Sequence, residues 1–180
     1  VQRIDANLSL PILSELLEKS GDLKDPNIPL MYWWAIEKHC QENSVDVVKL
    51  FENPQIRNQP MVQKEIMPRV MRRYAMSGGE NNYLVCANLL SMASDDLQTK
   101  ALMTGFEKAF EGGSLPSLPD TLINAIRKTG AASLLLRIRQ LDPDAIKEAS
   151  VKIASKEVPM EERINYVRAF GEISDKTVLP

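Results

Sequence analysis

Apolar residues recur at intervals of three and four along most of this chain, the spacing that places them on one face of an α-helix. The β-branched residues do not form alternating runs, so no strand is predicted. Proline, glycine and aspartate separate the periodic segments at short intervals. The chain is therefore restricted to an all-α fold of short helices.

The positions of these helices follow from the same pattern. Helices are predicted over residues 8–19, 30–41, 45–52, 83–93 and 95–111, around the apolar row 66–74, and after Pro119, Gly130, Asp142 and Pro159. Gly78-Gly79 and Gly112-Gly113 are expected to stop helices.

Single residues at the helix ends give sharper expectations. Ser44 is expected to cap the third helix, and Asp95 with Gln98 to form a capping box. Pro68 should either open its helix or kink it. The helix over 30–41 is apolar almost all round, which predicts burial between neighbours. In the last complete helix, Ile164, Val167 and Phe170 are expected to face inward.

Short helices in series, with proline in the first turn of several, favour an α-solenoid of degenerate HEAT-like helix pairs. The helix starts show no fixed repeat period, so an irregular helical bundle is the alternative. Residues 1–180 are predicted to form a single helical-repeat domain, with a possible sub-boundary at the 112–119 loop. The chain starts at Val1 without Met, and residues 174–180 resemble the start of another helix, so we expect a fragment of a longer polypeptide.

Composition excludes several classes of function. Of the 180 residues, 44% are hydrophobic and 26% charged, as in ordinary globular proteins. The formal net charge of −2 argues against a basic nucleic-acid module. No stretch approaches the ~18 apolar residues of a membrane span, so membrane contact by this segment is not expected. Two cysteines exclude a disulfide-dense scaffold.

The most distinctive stretch is Asp25-Pro26-Asn27-Ile28-Pro29-Leu30-Met31-Tyr32-Trp33-Trp34-Ala35-Ile36-Glu37. It resembles a D-P-N-x-P-L-x-x-W-W-A-x-E segment of large planctomycete-type proteins described as membrane-bound dehydrogenases. Those proteins carry a β-propeller, HEAT-like helical repeats and a C-terminal cytochrome c domain, and the segment lies in the helical region.

The resemblance implies a non-catalytic scaffold or interaction segment of a larger, haem c-containing dehydrogenase-like protein. It also suggests a periplasmic or exported location. The haem would lie elsewhere in the parent protein, because this chain has no C-x-x-C-H, and no cofactor is expected here. The expected partners are neighbouring domains or another protein. An autonomous protein- or peptide-binding HEAT-like adaptor is the first alternative, and a small α-helical enzyme is the second.

Five residues are candidates for an interaction surface. Trp33 and Trp34 lie about 100° apart on their helix, so their rings should face different neighbours. Packing within the fold is their simplest role, and an interdomain contact is the next. Arg69, Arg72 and Arg73 share one helix side, where they form either a solvated face or a basic patch for an acidic partner.

No catalytic or metal-binding residue is predicted. The single histidine, His39, rules out sites that need two imidazoles, and no second cluster of ligands accompanies it. Cys40 and Cys86 are expected to be buried thiols, or a disulfide if the parent protein is exported. No G-x-S-x-G nucleophile motif is present.

Overall fold

The computed structural model describes residues 4–19, 23–111 and 115–173. All regular secondary structure in these ranges is helical, which confirms the predicted all-α fold. A π-helical turn over Val62–Ile66 leads into α5. The described α-helices are α1 (Ala6–Glu18), α2 (Ile28–Glu37), α3 (Ser44–Glu52), α4 (Pro54–Arg57), α5 (Met67–Ser77), α6 (Glu80–Met92), α7 (Asp96–Ala109), α8 (Asp120–Thr129), α9 (Leu134–Arg139), α10 (Pro143–Ala154) and α11 (Met160–Glu172). The helix stop expected at Gly112-Gly113 and the further helix expected over 174–180 lie outside the described residues.

Most of the predicted helix starts and stops are confirmed. Asp25 Oδ1 accepts hydrogen bonds from the backbone N–H groups of Asn27 and Ile28 at 2.8 and 2.9 Å, which starts α2. The Gln98 N–H donates to Asp95 Oδ1 at 2.8 Å, as the capping box requires. Glycines in left-handed backbone conformations, Gly78 at φ 62° and Gly130 at φ 61°, end α5 and α8.

One local prediction was wrong. Ser44 does not cap α3, because the helix begins at Ser44 itself and Asn43 occupies the capping position. The link after α3 contains the short helix α4, whose start is stabilised by Asn53 Oδ1 accepting from the Gln55 N–H at 2.9 Å. Pro54 suits the first turn of this short helix, since the N–H it lacks would have no helical partner there.

Pro68 follows the π-helical turn and is the second residue of α5. A proline ring inside a regular helix clashes with the carbonyl four residues earlier, which here belongs to Lys64. The wider π-helical turn includes Lys64. The need to avoid this clash gives a physical reason for the position of the turn. Pro68 therefore opens the regular part of the helix, which was one of the two predicted outcomes.

The chain divides into two compact units, the first comprising Val1–Ala109 and Leu118–Ala131. In this unit α1, α3, α6 and α8 pack one on the next. A second series runs from α2 through the π-turn and α5 to α7. Packing therefore connects alternating helices in two layers. The apolar row Ile66, Met67, Val70, Met71 and Tyr74 is buried, as predicted.

Helices α5 and α7 approach each other closely at Gly105. A Cβ atom built on Gly105 would lie 2.1 Å from the Pro68 carbonyl oxygen and 2.8 Å from its carbonyl carbon. Only a residue without a side chain fits this contact.

The second unit comprises Phe110–Ser117 and Ala132–Pro180, and α9, α10 and α11 pack against one another within it. Its core includes a cluster of buried residues, Ile138, Ala145, Ala149, Tyr166 and Ala169. A two-point ion pair joins α9 to α11, since Arg139 Nε and Nη2 donate to the Glu172 carboxylate at 2.6 and 3.2 Å. Small alanines on α10 and α11 allow these short helices to approach closely.

Candidate interaction surfaces

Helix α1 carries apolar residues on two different faces. One face is buried in the first unit and includes Leu10, Leu13 and Leu17. The other consists of Leu8, Ile12 and Leu16, which follow one another at intervals of four and are between 41% and 60% exposed. We call these three residues the α1 ridge. A ridge of this kind has the spacing by which one helix packs on another.

The structure separates the two tryptophans of α2. The Trp33 side chain is 9% exposed and belongs to the core, whereas Trp34 is 47% exposed. Met31 is exposed on the same side as Trp34, so the predicted burial of α2 on all sides was wrong. Lys38 Nζ, one turn beyond Trp34, donates to the Ile4 carbonyl at 3.2 Å. This bond places the exposed side of α2 beside the start of α1.

Helix α11 has a similar second face in the other unit. Met160, Ile164 and Val167 are between 42% and 68% exposed, and we call them the α11 ridge. The predicted burial of Ile164 and Val167 was therefore wrong, while Phe170 is partly buried. Tyr166 and Ala169 occupy the core side instead, against the small alanines of α10. Apolar spacing identified a real face of the helix but not the one that packs inside.

The three arginines of α5 differ in their surroundings. Arg69 pairs with Glu65 at 2.5 Å, and Arg73 Nε lies 3.8 Å from Glu37 of α2. Arg72 is exposed and makes no hydrogen bond or ion pair with the described residues. Acidic neighbours thus compensate two of the three charges, and this side of α5 leaves only one cation for an acidic partner.

A groove of about 700 Å³ lies between α6 and α8, beside the start of α7. Exposed residues of α6 and of α8 form its walls. Small side chains, including Ala87 and Ala125, lie between the two walls. The walls combine polar residues such as Asn88, Ser91, Thr121 and Asn124 with apolar side chains such as Leu84. Sequence analysis did not find this groove, because its two walls lie more than 30 positions apart. It could accommodate a polar chain such as an extended peptide.

The single histidine lies inside the first unit. His39 is 3% exposed, and its Nε2 atom lies 2.6 Å from Oγ of the fully buried Ser9. Burial lowers the pKa of His39, and the positive charge of Lys38 acts in the same direction. A buried serine offers no access to a substrate. The pair therefore serves as a polar contact between α1 and the end of α2.

The lowered pKa of His39 predicts a pH-dependent stability. The unfolded chain binds this proton more tightly than the folded chain, so the free energy of unfolding should fall as the pH drops below about 6.5. The one imidazole should titrate below pH 6.5 by NMR, and the stability slope between about pH 7 and 5.5 should be smaller in His39→Gln. An imidazole titrating at or above its usual pKa would contradict this assignment.

Both cysteines are buried free thiols beside a buried tyrosine. Burial raises the pKa of Cys40 to about 11 and that of Cys86 to about 12. The Tyr74 hydroxyl is buried and has no geometrically ideal hydrogen-bond partner among the described residues. Its own pKa is raised by burial and by the nearby Cys40 thiol. These are the properties of unreactive core groups.

The thiols should therefore be nearly inert in the folded protein. Nucleophilic attack needs the thiolate, and at pH 8 the raised pKa values leave about one thiol in a thousand or fewer ionised. We expect a disulfide reagent such as DTNB to label both cysteines at once in denaturant. Labelling should be at least ~100-fold slower without denaturant. Rapid labelling of either native thiol would contradict the buried placement.

The described residues contain no group of three His, Cys, Asp or Glu side chains arranged to hold a metal ion. The described carboxylates with clearly lowered pKa values have local structural causes. The pKa of Asp25 is lowered by the backbone N–H groups at the start of α2, and that of Asp142 chiefly by Arg137, 2.9 Å away. Within the described ranges, no helix combines the length and hydrophobicity needed to span a bilayer.

Comparisons with protein-family models, curated proteins and solved structures found no match to this chain. The resemblance of residues 25–37 to the helical region of dehydrogenase-like proteins therefore remains a hypothesis based on those residues.

Proposed function

We propose that this chain is a non-catalytic helical scaffold, a HEAT-like segment that packs against further protein through its outer helices. The observation that carries the proposal is the pair of exposed apolar ridges on α1 and α11. Each ridge belongs to a helix whose other side lies in a core. Large apolar side chains gain free energy when another protein surface covers them.

The alternating packing of helices in the first unit supports the HEAT-like part of the proposal. In a stacked array of helix pairs, each helix contacts the equivalent helix of the next pair, and the stack presents an extended surface. The series α3, α6, α8 and the series from α2 through α5 to α7 have this arrangement. Trp34, half-exposed on the side of α2 near the start of α1, is the aromatic residue we assign to the outer contact.

The parent protein would be a haem c-containing dehydrogenase-like protein, in which this segment separates a catalytic domain from a haem domain. Support comes from the resemblance of residues 25–37 alone. An antibody against this chain, used on a blot of the source cells together with a stain for covalent haem, tests the idea. A haem-staining band far above 20.2 kDa is expected. A haem-free band near 20.2 kDa would overturn it.

The groove between α6 and α8 favours a second candidate, an autonomous adaptor that binds a peptide. Asn88 and Asn124 face this groove from opposite walls, and each amide can donate to and accept from a peptide main chain. The haem-free band described above, together with capture of defined synthetic peptides that Asn88→Ala and Asn124→Ala weaken, would favour the adaptor.

A further inference from the structure

Each apolar ridge is accompanied by exposed charged side chains. Glu15 and Lys19 lie along the α1 ridge, and Glu161 and Arg168 flank the α11 ridge. All four are exposed, and none forms a salt bridge with the described residues. Each ridge thus carries one acidic and one basic group, and the order of the two signs along the chain is the same on both helices.

We propose that the α11 ridge of one copy packs antiparallel on the α1 ridge of a second copy. This inference rests on the proposed function, in which both ridges are contact surfaces, and it names the occupant of each. Two helices with the same order of charges repel each other when they run parallel in register and attract each other when one is reversed. The charges therefore select the antiparallel arrangement.

The spacing of the residues supports a definite register. If Glu161 lies opposite Lys19, a rise of 1.5 Å per residue brings Ile164 opposite Leu16 and Val167 beside Ile12. Arg168 then lies within about one turn of Glu15, which its long side chain can reach.

The same register explains two features at the other end of the ridges. Gly171, with no atom within 4 Å of its Cβ position, falls close to Leu8, which is 60% exposed. A leucine side chain can pack into the space that the glycine leaves. A parallel register would instead move Glu161 towards Asp5 at the start of α1, where two like charges would meet.

The two ridges are different surfaces, so the contact is heterologous. Binding through one ridge leaves the other ridge of each copy free. Further copies can therefore add head to tail as the concentration rises. The small area and solvent-exposed charges make the interaction weak and sensitive to salt.

Sedimentation velocity over a concentration series of the 180-residue chain tests the proposal. Lys19→Glu alone and Glu161→Lys alone should each weaken association by about fivefold, because an attraction becomes a repulsion. The double variant Lys19→Glu with Glu161→Lys should recover most of the loss. Recovery of this kind cannot come from partial unfolding, and both substituted residues are exposed.

A pair of valine variants provides the matched control. Val167→Asp, in the α11 ridge, should weaken association by about tenfold or more. Val151→Asp, on α10 and 71% exposed, lies outside both ridges and should leave association unchanged.

Three results would overturn the proposal: a chain that stays monomeric at all concentrations, an equal effect of both valine variants, or no recovery in the double charge variant. None of them bears on the haem-stained blot, which decides the parent protein separately.

Discussion

Replacing Gly105 by alanine should destabilise the first unit by about 2 kcal/mol or more, which is a large effect for one methyl group. Glycine in the middle of a helix ordinarily costs about 1 kcal/mol relative to alanine, so propensity alone predicts the opposite result. Here the added Cβ would lie 2.1 Å from the Pro68 carbonyl oxygen. Overpacking costs of about 1–3 kcal/mol, sometimes more, therefore exceed the gain in helix propensity.

The atoms that the new Cβ would meet explain why the structure cannot relieve this clash at a low cost in free energy. Pro68 meets Gly105 with its backbone oxygen, carbonyl carbon and Cα, and none of these can move aside by changing a rotamer. Helices α5 and α7 would have to separate. The buried side chains on either side of the contact, Met67, Met71, Leu102 and Phe106, would then lose close packing.

The measurement is urea unfolding of Gly105→Ala, followed by circular dichroism and tryptophan fluorescence. Both tryptophans lie in the first unit, so their emission reports on the unit that contains Gly105. Gly171→Ala, followed by circular dichroism because the second unit has no tryptophan, is the matched control, since it is the same change in a helix where nothing lies within 4 Å of the new atom. That variant should be unchanged or up to ~1 kcal/mol more stable. Equal effects at the two sites would contradict the close contact.

This glycine also marks a limit of sequence reasoning. The apolar spacing predicted the helices and much of the core, such as the row from Ile66 to Tyr74, because local periodicity and capping residues decide those features. It could not predict that α7 needs a glycine, since the reason lies in Pro68, 37 positions earlier in the sequence. A residue that appears unfavourable within its own helix can be required by a neighbouring one.

The same limit applies to the faces of α2 and α11. Both helices have apolar residues on more than one side, and a period of 3.6 residues identifies each apolar row without saying which row packs inside. The outcome for α11 depends on which face fits against Ala145 and Ala149. The candidate site was harder to predict than the fold for this reason: the exposed ridges are apolar rows that resemble core residues.

The second large effect is expected at Gln98, where the capping box predicted from sequence forms part of a wider buried network. Its side-chain oxygen accepts from the Ser94 N–H at 3.3 Å. Its side-chain nitrogen lies 2.9 Å from Asn58 Oδ1, 3.0 Å from Ser94 Oγ and 3.2 Å from Asp95 Oδ2. The residue is fully buried, so water cannot replace these partners. The contact with Asn58 ties the start of α7 to the segment after α4.

Gln98→Met keeps the length of the side chain and removes its amide. We expect a loss of about 2 kcal/mol in the free energy of unfolding, because the substitution removes several hydrogen bonds, one of them to a carboxylate, that hold the start of α7. Urea unfolding followed by tryptophan fluorescence measures this loss in the first unit.

Gln140→Met is the same chemical change in the second unit, where we expect the opposite result. This unit has no tryptophan, so its unfolding is followed by circular dichroism. The Gln140 side-chain nitrogen is buried and has no hydrogen-bond partner among the described residues. The substitution removes this buried polar group, whose desolvation is not offset by a hydrogen bond. The free energy of unfolding should therefore lie within ~0.5 kcal/mol of that of the unsubstituted chain, or increase. If Gln98→Met cost no more than Gln140→Met, the Gln98 network would contribute nothing beyond filling space. A clear difference would instead show that hydrogen bonding to Asn58 and Ser94 holds α7 in place, with Gly105 setting its distance from α5.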